Sequence, residues 1–272
     1  MGVLTSFVTA WKLVLTREAL LIPALIYSII SLPQLLMQFF YSGESGTVMA
    51  AGAAYSIVIW LITPFFTGGL LATAARAIRG EVDLNYFVSS GRKRYLSLLL
   101  AGVIYMLAVG ASLMVLLLLA LVMGAGVGAV LSGDLGAVFA LVFLLLGGLL
   151  LILVAIMLNF YDVGVAIDGL DPVKTFKNSF SFVMSRPLSV FAFLLLSYST
   201  VAVIYLPVMA VFFYHLLTNL PELTLEEFAA GRLPAPDFQT GVLITLLLII
   251  TGTLTTCFTN TYRAVFYVNV RR

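Results

Sequence analysis

Charged residues are scarce in this chain: they make up 10% of its 272 residues, whereas soluble domains carry roughly 25%. It has one cysteine and one histidine. The single cysteine excludes an intrachain disulfide, and a lone histidine without nearby acids makes a poor metal site. Hydrophobic residues make up 62% of the chain, and its mean hydropathy is +1.15. A soluble protein of this length could not bury so much apolar surface, so the composition predicts a membrane protein.

Six apolar runs are long enough to cross a hydrocarbon core as helix, which takes about 20 residues. They are rich in Leu, Ala, Gly and Met and lack the alternation of a membrane barrel, so helices are favoured over strands. The runs cover residues 19–41, 47–75, 95–123, 135–161, 187–217 and 241–268. We therefore expect an all-α polytopic protein that forms a single transmembrane domain over residues 1–272.

The positions of the basic residues predict the orientation. Six spans leave both termini on one side of the membrane, and every Lys and Arg except Arg232 falls on that side. Lysine and arginine near span ends are enriched on the cytoplasmic side. We expect both termini to be cytoplasmic, in a multi-pass protein of a prokaryotic cytoplasmic membrane. Because the positive charge is concentrated at one membrane surface, we do not expect nucleic-acid binding.

The segment after the fourth run has the pattern of a helix that lies on the membrane surface. Asp171 followed by Pro172 is a helix start signal. One predicted face is apolar and the other is polar with two lysines, which is typical of an amphipathic interfacial helix. The apolar face holds Val173, Phe176, Phe180, Val183 and Met184, and the polar face holds Lys174, Lys177, Asn178, Ser181 and Ser185.

Two other places resemble this segment and indicate an internal repeat. Aligning Gly80 with Gly169 places Phe87 on Phe176 and Ser90 on Ser179. The amino-terminal segment also has an apolar face, made of Val3, Leu4, Phe7, Val8, Trp11, Val14 and Leu15. The predicted repeat unit is an interfacial helix, an arginine and two spans, and the units cover residues 1–75, 80–161 and 169–268. The alternative is that the three segments share only the general pattern of membrane-surface helices.

Basic residues in the three predicted surface helices are candidate contacts for lipid headgroups, because cations at this depth attract an anionic leaflet. They are Lys12, Arg17, Arg92, Lys93, Arg94, Lys174, Lys177 and Arg186. The expected partners are membrane lipids of anionic type. A protein partner or a homo-oligomer is a further expectation.

A structural ion pair is predicted at the inner ends of the spans. Asp162 follows the fourth run, and an unpaired carboxylate at the membrane boundary would be costly. Arg263 lies at a comparable depth in the sixth run, and Arg76 at the end of the second. We expect Asp162 to pair with Arg263 first and with Arg76 as the alternative.

The residues show no catalytic constellation. Asp162, Asp168 and Asp171 with two lysines fit no metal or phosphotransfer motif, so we predict no catalytic, cofactor-binding or metal-binding residues. His215, beside Tyr214, is predicted to be an interfacial anchor.

The span centres hold no ionisable residue, which argues against a proton- or sodium-coupled pump. Polar residues within the runs, Gln34 and Asn260 among them, are expected to form helix-helix hydrogen bonds. The favoured hypothesis is a non-catalytic membrane protein that organises or binds lipid or a membrane partner. The alternatives are a conduit for a neutral or lipid-like substrate and, third, a lipid-modifying enzyme.

Two stretches carry a resemblance to a known group. They are "GEVDLNYFVSSGRKRYLSLLL" after the second run and "DGLDPVKTFKNSFSFVMSRPLSVFAFL" after the fourth. With them the chain resembles a broad group of uncharacterised prokaryotic six-helix integral membrane proteins, and it is similar to the membrane domain attached to some glycerophosphodiester phosphodiesterases. The resemblance implies a fold and a membrane location. It implies no activity, and we expect no phosphodiesterase chemistry from these residues.

Overall fold

Helices make up nearly all of the computed structural model, which describes residues 2–40, 46–80, 82–130, 134–219 and 236–271. The chain divides into two units: Met1–Tyr95 with Leu188–Arg272, and Leu96–Pro187. We call them the terminal unit and the middle unit. In chain order the helices are α1 Val3–Thr16, α2 Glu18–Phe40, α3 Gly46–Ala77, α4 Leu84–Val130, α5 Asp134–Met157, α6 Tyr161–Val163 with a π-helical turn Gly164–Asp168, α7 Pro172–Ser185, α8 Pro187–Asn219 and α9 Phe238–Arg271.

Six helical segments are long and apolar enough to cross a membrane, which confirms the predicted all-α polytopic class. They are Glu18–Met37, Ala50–Ala77, Leu84–Leu119, Leu145–Asp168, Pro187–Asn219 and Phe238–Arg271. Pro33, Pro64 and Pro207 lie inside helices, as the runs predicted. Arg232, the one base predicted on the opposite side, lies outside the described residues.

The core of the terminal unit is built by α2, α3 and α9, which pack against one another. α2 and α3 are joined through polar side chains: the hydroxyls of Tyr27 and Thr63 are 3.0 Å apart, and Gln34 donates to the Ser56 hydroxyl at 3.1 Å. The prediction of a helix-helix hydrogen bond is thus confirmed for Gln34. It is wrong for Asn260, whose amide donates to the Thr256 carbonyl one turn earlier in the same helix.

α1 lies against the carboxyl-terminal part of α9. The Phe7 ring meets the Phe258 and Tyr262 rings edge-on, each at 5.6 Å, and Trp11 stacks on Phe258 at 4.7 Å. Asn269 donates to the Ser6 hydroxyl at 3.1 Å. Burial of these aromatic rings therefore fixes the amino-terminal helix at the last turns of the last span.

The middle unit is organised around a break in its second helix. α5 ends at Met157, three residues follow in turns, and the helix resumes at Tyr161. Tyr161 stacks between Tyr105 of α4 at 5.1 Å and Phe176 of α7 at 5.4 Å. The π-helical turn ends at Gly169, whose φ of 68° is in the left-handed region that glycine adopts without strain.

α4 differs from the repeat predicted by sequence. A surface helix separated from the third span was expected, but α4 runs unbroken for 47 residues from Leu84 to Val130. At a rise of 1.5 Å per residue its length is about 70 Å, more than twice the thickness of a hydrocarbon core. One continuous helix therefore contains both the predicted surface segment and the span.

Candidate membrane-surface site

The three predicted surface helices bury the same positions. Counted from the first residue of each helix, the fourth and eighth positions are buried in α1, α4 and α7, and the eleventh and twelfth are also buried in α1 and α7. These residues are Ser6, Ala10, Leu13 and Val14 in α1, Phe87 and Gly91 in α4, and Thr175, Ser179, Phe182 and Val183 in α7. The shared register shows that each helix turns an equivalent face towards the protein.

This register corrects the sequence alignment by one residue. Position 87 was aligned with Phe176, whereas the structure matches Phe87 with Thr175 and Gly91 with Ser179. The helix starts agree with the corrected register: the Asp171 carboxylate accepts from the Val173 amide at 3.0 Å, and the Asp83 carboxylate accepts from the Tyr86 amide at 2.8 Å. The predicted Asp171 cap with Pro172 at the first helical position is confirmed.

Hydroxyl groups attach α7 to the break after α5. The Ser179 hydroxyl donates to the Met157 carbonyl at 2.7 Å and accepts from the Phe160 amide at 3.1 Å, and Thr175 donates to the Tyr161 carbonyl. A helix break leaves backbone groups without intrahelical partners, and these two side chains satisfy them. Sequence reasoning gave neither residue a role. The signal available was a pair of small hydroxyl residues four positions apart, which places them on one helix face.

Glycine permits close contact where α7 meets the π-helical turn. A Cβ atom at Gly164 would lie 2.5 Å from the Thr175 Oγ1 atom. A second close contact involves Gly91, at the eighth position of α4. A Cβ atom there would lie 2.7 Å from the Phe65 carbonyl oxygen of α3. Both helix contacts are therefore possible only because glycine has no Cβ atom.

The face of α7 beside the protein contact is apolar and exposed. Val173, Phe180 and Met184 are each more than half exposed. Leu4, Val8 and Leu15 form the equivalent exposed stripe on α1. The predicted apolar face was partly wrong, because Val183 is buried against the protein rather than turned outwards.

Five of the eight candidate cations lie in α1 and α7 or directly after them, and the other three lie in α4. Arg17 and Arg94 are half-buried and the other six are exposed. Among the described residues, none of the eight forms an ion pair. Arg76, which is not one of the eight, makes a cation–π contact: its guanidinium stacks over the Tyr86 ring at 4.3 Å. The predicted headgroup contacts thus carry positive charge that no acidic side chain neutralises directly within the described residues.

Asp162 is buried, and its carboxylate accepts from the Val163 amide at 2.8 Å. Its pairing with Arg263 or Arg76 stays a prediction. His215 is also buried, with Asn219 donating to its carbonyl at 2.8 Å, so its prediction as an interfacial anchor was wrong. Tyr214 beside it is exposed. Within the described ranges, no three His, Cys, Asp or Glu side chains are grouped as a metal site would need.

Comparison with known proteins gives a family. Residues 1–270 match the family model described as Domain of unknown function (DUF7847). No curated protein and no solved structure matches the chain. Since the match covers nearly the whole of the six-span architecture, this chain belongs to the DUF7847 family.

Proposed function

We propose that this protein is a non-catalytic membrane protein whose surface helices bind anionic lipid. The observation that carries the proposal is that α7 has three chemically different faces. One side is fixed to the protein, the next is the apolar stripe of Val173, Phe180 and Met184, and the third holds Lys174 and Lys177. A helix with this arrangement suits the boundary between acyl chains and headgroups.

The energies favour binding to a negatively charged surface. Each lysine or arginine close to an anionic leaflet contributes about 1 kcal/mol. Burying an exposed Val, Phe or Met side chain contributes about 1.5–3 kcal/mol more. Because α7 is already held by Ser179 and Thr175, the helix does not have to fold on the membrane and loses little entropy on binding.

The test compares lipid retention by the full chain in detergent, measured by native mass spectrometry with phosphatidylglycerol and phosphatidylcholine. We expect preferential retention of phosphatidylglycerol. Lys174→Gln with Lys177→Gln should lower it by about tenfold or more, as two lost charges contribute about 2 kcal/mol. The matched control is Lys174→Arg with Lys177→Arg, which keeps both charges. Equal retention by the Gln and Arg variants would disprove the proposal.

We further propose that the lysine-bearing surface is cytoplasmic, in a prokaryotic plasma membrane. The support is the concentration of basic residues on the side of the termini. In a Cys257→Ser background, a cysteine at Lys174 should react with an impermeant thiol reagent only after permeabilisation. A cysteine at Gln239, which is exposed at the start of α9, should react in intact cells. Reaction at position 174 in intact cells would reverse the topology.

A conduit for a neutral or lipid-like substrate is the second candidate. It is favoured by the buried hydroxyls of Ser28, Thr73 and Tyr262, which have no hydrogen-bond partner among the described residues of α2, α3 and α9. Such groups could contact a passing polar molecule. Protein-dependent flux of a neutral solute or lipid in liposomes, reduced by Tyr262→Phe, would favour this function over the first.

A further inference from the structure

A cavity of about 350 Å³ lies in the terminal unit. Its walls come from the joint between α1 and α2 and from the start of α4. The volume lies at the lower end of the range for small-molecule sites. None of the eight residues around it is aromatic.

Three charged side chains line this cavity: Arg17, Glu18 and Asp83. In the described part of the chain, no ion pair joins them to one another or to a further side chain. Asp83 uses one carboxylate oxygen to cap α4. One cation and two carboxylates therefore face the same space without neutralising one another by direct contact.

The walls of the cavity also include apolar side chains that remain partly exposed. Ile22 of α2 is 37% exposed and Leu84 of α4 is 40% exposed. The apolar segments of α2 and α4 that are long enough to span a membrane begin at Glu18 and Leu84, so both side chains lie within the first five residues of such a segment. A ligand with a charged end and an apolar end would match both parts of the wall.

We propose that this cavity binds the headgroup of a zwitterionic aminophospholipid. Arg17 holds the phosphate, since a guanidinium donates two parallel hydrogen bonds to such a group. Glu18 and Asp83 accept from the ammonium, and the acyl chains leave past Ile22 and Leu84. This site is independent of the proposed binding of anionic lipid by α7.

The charges select among ligands. A purely anionic headgroup would meet two carboxylates and one guanidinium, and a free cation would meet Arg17. A choline group lacks N–H donors for the carboxylates, and the cavity has no aromatic cage to hold it. A primary ammonium linked to a phosphate satisfies all three side chains. Soluble glycerophosphoethanolamine has the same chemistry, so the experiment must separate it from the lipid.

The experiment measures retention of phosphatidylethanolamine, phosphatidylcholine and phosphatidylglycerol by the full chain, using native mass spectrometry in detergent. The variants are Arg17→Gln, Glu18→Gln and Asp83→Asn. Asparagine at position 83 keeps an oxygen that caps α4 but removes the negative charge. A loss of lipid binding in this variant is therefore due to the lost charge and not to unfolding of the helix start. Asp237→Asn is the matched control, because the Asp237 carboxylate also caps a helix, by accepting from the Thr240 amide, and it does not line the cavity. Glycerophosphoethanolamine is added as a competitor in a separate series.

We expect phosphatidylethanolamine to be retained over phosphatidylcholine, and each of the three variants to lower that retention by about tenfold, as loss of a charge-assisted hydrogen bond implies. The Asp237→Asn control should leave it unchanged. If glycerophosphoethanolamine displaces the lipid only at large excess, the site binds the lipid. If it displaces the lipid at equal concentration, the site binds the soluble phosphoamine.

Equal retention of ethanolamine and choline lipids, or retention unaffected by Asp83→Asn and Arg17→Gln, would overturn the inference. Because phosphatidylglycerol binding through Lys174 and Lys177 is measured in the same spectra, failure of either proposal is seen separately.

Discussion

The start of α4 and the whole of α7 bury equivalent positions but are attached to the protein in different ways. Both begin at an aspartate cap, and both bury the fourth and eighth positions. In α4 the eighth position is Gly91, which lets the backbone approach Phe65 closely. In α7 it is Ser179, whose hydroxyl satisfies the broken backbone after α5. The same face can thus be fixed by steric fit or by hydrogen bonds.

The two regions also end differently. Arg186 leaves the helical conformation, with φ of −145° and ψ of 55°, and Pro187 begins α8. The residue before proline is disfavoured in the α region, so a proline here separates the surface helix from the span. In α4 the arginine at the end of "GRKR", Arg94, is the eleventh residue of the helix, and it is followed by Tyr95 rather than proline, so the helix continues. One residue decides whether the surface segment is a separate helix.

Tyr95→Pro should have the largest effect among the changes that test this comparison. Proline inside a helix removes a hydrogen bond and clashes with the preceding turn, so we expect a loss of about 3 kcal/mol or more. Unfolding in detergent with increasing SDS measures it, and Tyr95→Ala is the control for loss of the ring. If the proline and alanine variants unfold together, α4 is divided at this position as α7 and α8 are.

Gly91→Ala should follow, with a loss of about 1–3 kcal/mol from overpacking. The new methyl group would be 2.7 Å from the Phe65 carbonyl oxygen, a backbone atom that cannot move aside cheaply. Gly102→Ala in the same helix is the matched control, because a Cβ atom there meets nothing within 4 Å. The control should be neutral or slightly stabilising. Equal unfolding midpoints for the two variants would contradict the steric account.

Ser179→Ala tests the hydrogen-bonded attachment of α7. It removes an acceptor for the buried Phe160 amide and a donor to the Met157 carbonyl, and an unsatisfied buried group costs about 1–3 kcal/mol. Ser181→Ala, exposed on the same helix, is the control and should change stability by less than about 0.5 kcal/mol. A loss of similar size for both serines would contradict the role given to the Ser179 hydroxyl contacts.

The smallest effect is expected at the helix starts. Asp83→Ala and Asp171→Ala should each cost about 1 kcal/mol, because each removes one acceptor for a free amide, and substitution by asparagine should be nearly neutral. The two losses should be of equal size in the same unfolding assay. A loss at Asp171 alone would mean that the start of α4 is held by its contact with α3 and not by its cap.

Much of α7 could be predicted from sequence, because its signals are local. Asp171 and Pro172 mark its start and Pro187 follows its end, so the 14-residue helix is confirmed. The unbroken α4 could also have been predicted, since "RKRYLS" contains no helix breaker. The similar stretch "RPLS" at Arg186–Ser189 contains a proline, and the proline is what separates α7 from α8.

The face of α7 that meets the protein could not be predicted in this way. Val183 and Phe180 are both apolar, yet the first is buried and the second is half exposed. The difference depends on Met157, whose carbonyl receives the Ser179 hydroxyl from 22 residues further along the chain. Amphipathic periodicity counts apolar residues on one helix, and it does not register unpaired carbonyls on another.

The sequence by itself determined the membrane class, the six spans and the limits of α7, because hydropathy, caps and proline act within a few residues. Only the tertiary structure decided which side of each surface helix is fixed, how Gly91 and Ser179 serve the same position, and where Arg17, Glu18 and Asp83 come together. These outcomes depend on contacts between segments far apart in the chain, where backbone groups must be satisfied and atoms cannot overlap.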